Sequence, residues 1–207
     1  MASKSYHVQL KISWVDLPSD AIPHSNKDSD GDLDVISSAL ADTLVQNMPS
    51  EIVELDPGKI MMASLLSSKL VTGVLGHLDE RRWGGKYYSG DISASLGETM
   101  AYALLEKKFE VKFLDIIPLR QVKYLGFSPD AVIDVSKYPK LISFLGGKGL
   151  LFLNARGSYR WSQAWLHRNL RRDMVQVEKV RYPDNFAILT YLYRDQEWKM
   201  MAVVIRP

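Results

Sequence analysis

From residue 95 onward the hydrophobic pattern changes period repeatedly, and that succession limits the fold more than any other feature of the chain. Residues 95–109 have helical spacing, whereas 111–117, 131–135 and 150–154 are short apolar runs that predict strands. Residues 161–180 predict a long helix. The runs 186–194 and 198–205 pair as a hairpin across Asp195-Gln196-Glu197. The order is helix, three strands, helix, strand, with one further strand at the end, and it predicts a mixed α/β (α+β) core over residues 93–207.

The first ninety residues have a different character. Val8, Leu10, Ile12 and Trp14 alternate with polar residues, the mark of a strand with one buried face. Residues 18–32 are polar and turn-rich. Leu33, Ile36, Leu40, Leu44 and Met48 recur at helical spacing until Pro49 stops them, and a second helix is expected from Pro57-Gly58 through residues 60–78. Residues 79–92 read as a loop. No clear linker follows, so residues 1–92 are expected to form a mostly helical extension packed on the core.

A chain of 207 residues with 46% hydrophobic and 24% charged residues has the composition of one large globular domain. It contains no cysteine, which excludes disulfides and thiolate metal sites and favours a cytoplasmic setting. The start, Met-Ala-Ser-Lys-Ser-Tyr, lacks the apolar run of a signal peptide, and the apolar stretch 60–78 is interrupted by Ser64, Ser67, Ser68, Lys69 and Thr72. No membrane association is expected. The net charge of +2 is unremarkable, yet residues 156–181 gather Arg156, Arg160, Arg168, Arg171, Arg172, Lys179 and Arg181 against Asp173 and Glu178. Such an excess suits a phosphate backbone, although a basic helix face is also an ordinary solvated surface.

Three pieces fall into a pattern with chemical meaning. Glu98 lies on the first core helix, Ser128-Pro129-Asp130 opens the second strand, and Asn154-Ala155-Arg156-Gly157-Ser158 ends the third. Asn154 and Arg156 are two apart, so on a strand they share a face. In order and spacing these residues resemble the PD-(D/E)XK superfamily, whose restriction-endonuclease-like α-β-β-β-α-β core brings a Pro-Asp and a Glu-x-Lys to a divalent metal. The resemblance covers about half the chain. It departs from the family where Glu becomes Asn154 and Lys becomes Arg156.

The resemblance implies Mg²⁺ or Mn²⁺ held by Asp130, Glu98 and Asn154, with Asp130, Asn154, Arg156 and Glu98 as the catalytic set of a DNA endonuclease. Mg²⁺ takes oxygen ligands, polarises the phosphate and lowers the pKa of a bound water. Asn154 offers a neutral oxygen and removes one negative charge. Arg156 keeps its positive charge and a two-pronged grip on phosphate but cannot serve as a base. Ser158, Arg160, Gln163, Arg168, Arg171 and Arg172 are the expected nucleic-acid contacts, and DNA is the expected partner, with homodimerisation left open. The alternatives are a nuclease-like subunit that binds or assembles without cutting, or an interaction domain with no nucleic-acid role.

Each piece also has a plain structural reading. Ser95 and Glu98 make a capping box, Ser-Pro-Asp is a common turn, and Asn-Ala-Arg-Gly is an ordinary strand exit. A second match, Pro183-Asp184 with Glu197-Trp198-Lys199, keeps the motif intact but places Glu197 in the hairpin turn, with too little chain after it for the remaining elements. Residues 26–34 resemble the start of a calcium loop but carry Ser37 where a bidentate Glu is expected, so their acids are better placed to favour the following helix N-terminus. The histidines His7, His24, His77 and His167 are scattered, and Gly146-Gly147-Lys148-Gly149 reads as a turn. Trp161 could stack on bases, whereas Trp165 reads as core.

Overall fold

A computed structural model describes residues 8–22, 30–45, 49–66, 87–119, 129–158, 161–180, 184–195 and 197–207. These residues form a mixed α/β fold around one seven-stranded sheet. In chain order the elements are β1 (Val8–Pro18), α1 (Asp30–Val45), β2 (Ser50–Leu55), α2 (Pro57–Leu66), α3 (Tyr87–Phe109), β3 (Ile117–Pro118) and β4 (Ala131–Asp134). There follow α4 (Pro139–Leu145), β5 (Leu150–Ser158), α5 (Gln163–Lys179), β6 (Phe186–Asp195) and β7 (Glu197–Arg206). The strands lie in the order β2-β1-β7-β6-β5-β4-β3. β5 and β6 are parallel neighbours joined through α5, while β6 and β7 form the antiparallel hairpin.

The N-terminal strand belongs to this same sheet. β1 runs parallel to β7 from Leu10 beside Trp198 to Pro18 beside Arg206, and β2 pairs antiparallel with β1. Residues 8–66 therefore contribute two strands as well as two helices.

The pleat sends alternate side chains to two apolar layers. On one face Leu151, Leu153 and Ala155 of β5 pack with α3 and α4, through Met100, Leu104, Leu105, Leu141 and Leu145. On the other face Leu189, Tyr191, Met201 and Val203 pack with α1 and α5, through Leu33, Leu40, Leu166, Leu170 and Met174. The α3 backbone approaches β5 closely where two glycines meet. A Cβ on Gly157 would lie 1.9 Å from the Ser93 carbonyl oxygen, and one on Gly97 would lie 2.5 Å from the Arg156 carbonyl carbon.

Several elements differ from the sequence expectation. α3 begins at Tyr87, so residues 87–92 are helical and Ser95 lies within the helix, where it cannot form an N-terminal capping box. The strand expected over 111–117 shrinks to Ile117–Pro118, because 113–115 close a 3-10 turn in which the Asp115 N–H donates to the Lys112 carbonyl at 3.0 Å. Ahead of it, Glu110 takes φ 61° and ends α3 with the Val111 N–H donating to the Leu105 carbonyl. β5 continues to Ser158, which places Asn154 in mid-strand. α4 fills part of the stretch after β4, and Gly146 in the left-handed region closes it. The second helix is described to Leu66; the rest of its expected span, residues 79–86 and the calcium-like residues 26–29 lie outside the described residues.

Candidate functional site: a buried arginine between two carboxylates

β5 sends Asn154 and Arg156 to the α5 face, as a spacing of two requires. There they meet Asp173 and Gln176, three apart on α5 and therefore on one side of it. The Arg156 Nε and Nη2 donate to Asp173 Oδ1 at 3.1 and 2.5 Å, and Nη2 also reaches Gln176 Oε1 at 3.2 Å. The second Asp173 oxygen accepts the Tyr191 hydroxyl of β6 at 3.1 Å. Asn154 Nδ2 donates to the same Gln176 oxygen at 2.9 Å.

Asp130 closes the cluster from the other side. Its backbone N–H donates to the Leu153 carbonyl at 2.8 Å and also faces Asn154 Oδ1 at 3.2 Å. Its carboxylate Oδ2 accepts the Ala155 N–H at 2.8 Å and lies 3.6 Å from Arg156 Nη1. Two carboxylates thus share one guanidinium in the interior: the side chain of Asp173 is 0% exposed, that of Asp130 4% and that of Arg156 13%.

The electrostatics follow from burial. Loss of water raises the Asp173 carboxyl to about 6, against the opposing pull of the Arg156 charge, and the Asp130 charge pushes the same way as burial. For Arg156 burial lowers the pKa, but the charges of Asp173 and then Asp130 outweigh it and hold the guanidinium protonated beyond its ordinary range. Burial, followed by the Asp173 charge, raises the Tyr191 phenol well above its usual value.

The sequence-expected residues divide accordingly. Asp130, Asn154 and Arg156 come together. Glu98 is fully buried on α3, in the layer across the sheet, and accepts the Tyr102 hydroxyl at 2.7 Å. Near it the buried hydroxyls of Ser95 and Thr99 have no hydrogen-bond partner among the described residues. Ser158 ends β5. Gln163 is exposed at the start of α5 and donates to Asp42 of α1. Arg168 and Arg172 are exposed one turn apart on α5, and Arg171 pairs with Asp34 at 3.0 Å. Ser128 and Arg160 lie outside the described residues, as does Pro183 of the second motif. Glu197 of that motif is a surface residue 3.6 Å from Lys11. Trp161 packs at a tilt against Tyr193 with centroids 4.7 Å apart, and Trp165 meets Tyr191 edge-on.

Asp173, Gln176 and Tyr191 were not among the sequence candidates. A signal for the first existed: Leu166, Leu170, Asp173, Met174 and Val177 form one helical stripe, and a carboxylate on an apolar stripe needs a buried partner. Among the described residues no group of three or more His, Asp or Glu is placed to hold a metal ion, and no helix is long and apolar enough to cross a membrane. No protein-family model, curated protein or solved structure matches the chain.

Proposed function

We propose that this chain is a nucleic-acid-binding protein on a restriction-endonuclease-like scaffold, with an ion-pair cluster at the position of the cleavage site. The observation that carries this reading is the engagement of Arg156 by Asp173, Gln176 and Asp130. A guanidinium committed to buried carboxylates is not available to grip a scissile phosphate. The order of elements from α3 to β6 supports the scaffold, and the exposed Arg168 and Arg172 of α5 support the partner.

Mg²⁺ requires near-octahedral oxygen coordination. Of the three donors the resemblance implies, Asn154 Oδ1 faces the Asp130 N–H, Asp130 Oδ2 accepts from Ala155 beside a fixed cation, and Glu98 accepts the Tyr102 hydroxyl on α3, the helix that packs on the other face of the sheet. That set does not fit the ion.

The test combines fluorescence anisotropy on labelled DNA with incubation of plasmid and single-stranded DNA in Mg²⁺ or Mn²⁺. Binding is expected at low salt without metal, to weaken steeply as salt rises, and to show a salt slope lower by about 1 for each of Arg168 and Arg172 removed. No cleavage is expected. Metal-dependent cutting that disappears in Asp130→Ala would overturn this reading in favour of an active variant nuclease.

A further inference from the structure

The side of α5 turned away from Asp173 and Gln176 carries a second feature. Between α1 and α5 lies a groove of about 470 Å³ lined by Asp34, His167, Arg168, Arg171, Arg172 and Val175. Its volume falls in the ~300–1,000 Å³ range of small-molecule sites. Among the described residues that line it, Val175 is apolar, and three arginines and a histidine face one carboxylate. Guanidinium forks match the oxygens of phosphate, so the lining suits an anion with several oxygens.

Asp34 already occupies part of that role. Its Oδ1 lies 3.0 Å from Arg171 Nε and 4.0 Å from His167 Nε2, and its backbone carbonyl is 3.3 Å from the same histidine nitrogen. The Asp34 and Arg171 side chains are 53% and 40% exposed. The Arg171 Nε at the contact is itself shielded from water and makes no hydrogen bond of good geometry among the described residues, but an ion pair between side chains this exposed is weak and replaceable, unlike the buried pair on the other side of the helix.

We infer that the α1–α5 groove is a phosphate-binding channel in which Asp34 is an internal competitor, displaced from Arg171 when a phosphodiester or polyphosphate enters. The inference rests on the nucleic-acid reading and adds to it the contact face and a built-in limit on affinity. Among the described residues of the lining, one carboxylate stands against three guanidiniums, a balance that attracts phosphate while Asp34 reduces the pull. Both possible sources of the ligand, a nucleic-acid backbone and a free polyphosphate, present the same oxygens.

The experiment measures binding of a short labelled DNA oligonucleotide and, by calorimetry, of inorganic tripolyphosphate. The proteins are wild type, Asp34→Asn, Arg168→Ala/Arg172→Ala, and Lys140→Ala as a surface control away from the groove. Asp34→Asn is expected to tighten binding about fivefold, the size of a surface ion pair that no longer competes. The double arginine variant is expected to weaken it about tenfold or more at low salt, with Lys140→Ala close to wild type. Tripolyphosphate responding in this way without oligonucleotide binding upholds the groove and removes the nucleic-acid reading. Oligonucleotide binding indifferent to Asp34 and to the arginines, or equally sensitive to Lys140, overturns the groove and leaves that reading standing. Weakening by the arginine variant with no gain from Asp34→Asn overturns the competitor role. Failure of every protein to bind either probe overturns both.

Discussion

The two sides of α5 hold similar residues in opposite circumstances. On the inner side Asp173 faces Arg156 with all its oxygens used and almost no water. On the outer side Asp34 faces Arg171 half in solvent. Burial makes the first pair structural, because an ionised group in the interior is costly unless hydrogen-bonded on every side. Exposure makes the second pair exchangeable, because water competes for both ends. The same ion-pair chemistry therefore locks three elements together in one place and leaves a ligand-accessible surface in another.

The largest expected effect breaks the inner pair. Asp173→Ala leaves Arg156 Nε and the Tyr191 hydroxyl without an acceptor, each costing about 1–3 kcal/mol, and leaves Arg156 Nη2 with Gln176 alone. Urea unfolding should show a loss of at least about 2 kcal/mol. Asp173→Asn keeps an oxygen in place, and Asp130 still neutralises Arg156. It should cost much less, and an equal loss in the two variants would mean that charge, not hydrogen bonding, holds the cluster.

A smaller effect is expected in the pH dependence of stability. The Asp173 carboxyl is raised to about 6 from 3.8, so the folded protein keeps this proton after the unfolded chain has released it. Its contribution is complete below pH about 4 and is lost as pH rises to about 6. The stability of wild type relative to Asp173→Asn should therefore decline across that window and stay level above it, measured by thermal unfolding at each pH. A difference that grows with pH would reverse the assignment.

The smallest effect lies on the outer side. Arg172 is exposed, so Arg172→Ala should change stability by no more than about 0.5 kcal/mol in the same urea assay. A loss comparable with that of Asp173→Ala would erase the contrast between the two sides.

Much of the scaffold was legible because hydrophobic period reports burial directly. The 150–154 run, the 161–180 helix and the hairpin were visible for that reason, and β6 and β7 pair with register from Ala187 beside Ile205 to Asp195 beside Glu197. Where the pattern misled, local geometry intervened. Val111 and Ile116 are buried, yet the 3-10 turn between them takes 113–115 out of the strand. The start of α3 at Tyr87 was hidden because Ser95 and Glu98 mimic a helix beginning.

The candidate site was legible in part. A strand period of two was enough to put Asn154 and Arg156 on one face, and Asp130 was found through its place before β4. Asp173, Gln176 and Tyr191 were not, since no local rule says which residues of α5 and β6 will face Arg156. By itself the sequence determined the succession of elements and the shared face of Asn154 and Arg156, because these depend on neighbours along the chain. Only the tertiary structure decided that α3 and α5 cover opposite faces, that Glu98 therefore lies on the helix of the other layer, and that Arg156 is held by Asp173. Those outcomes depend on which distant segments meet across the sheet, and the energy of a buried charge is set by what it meets there.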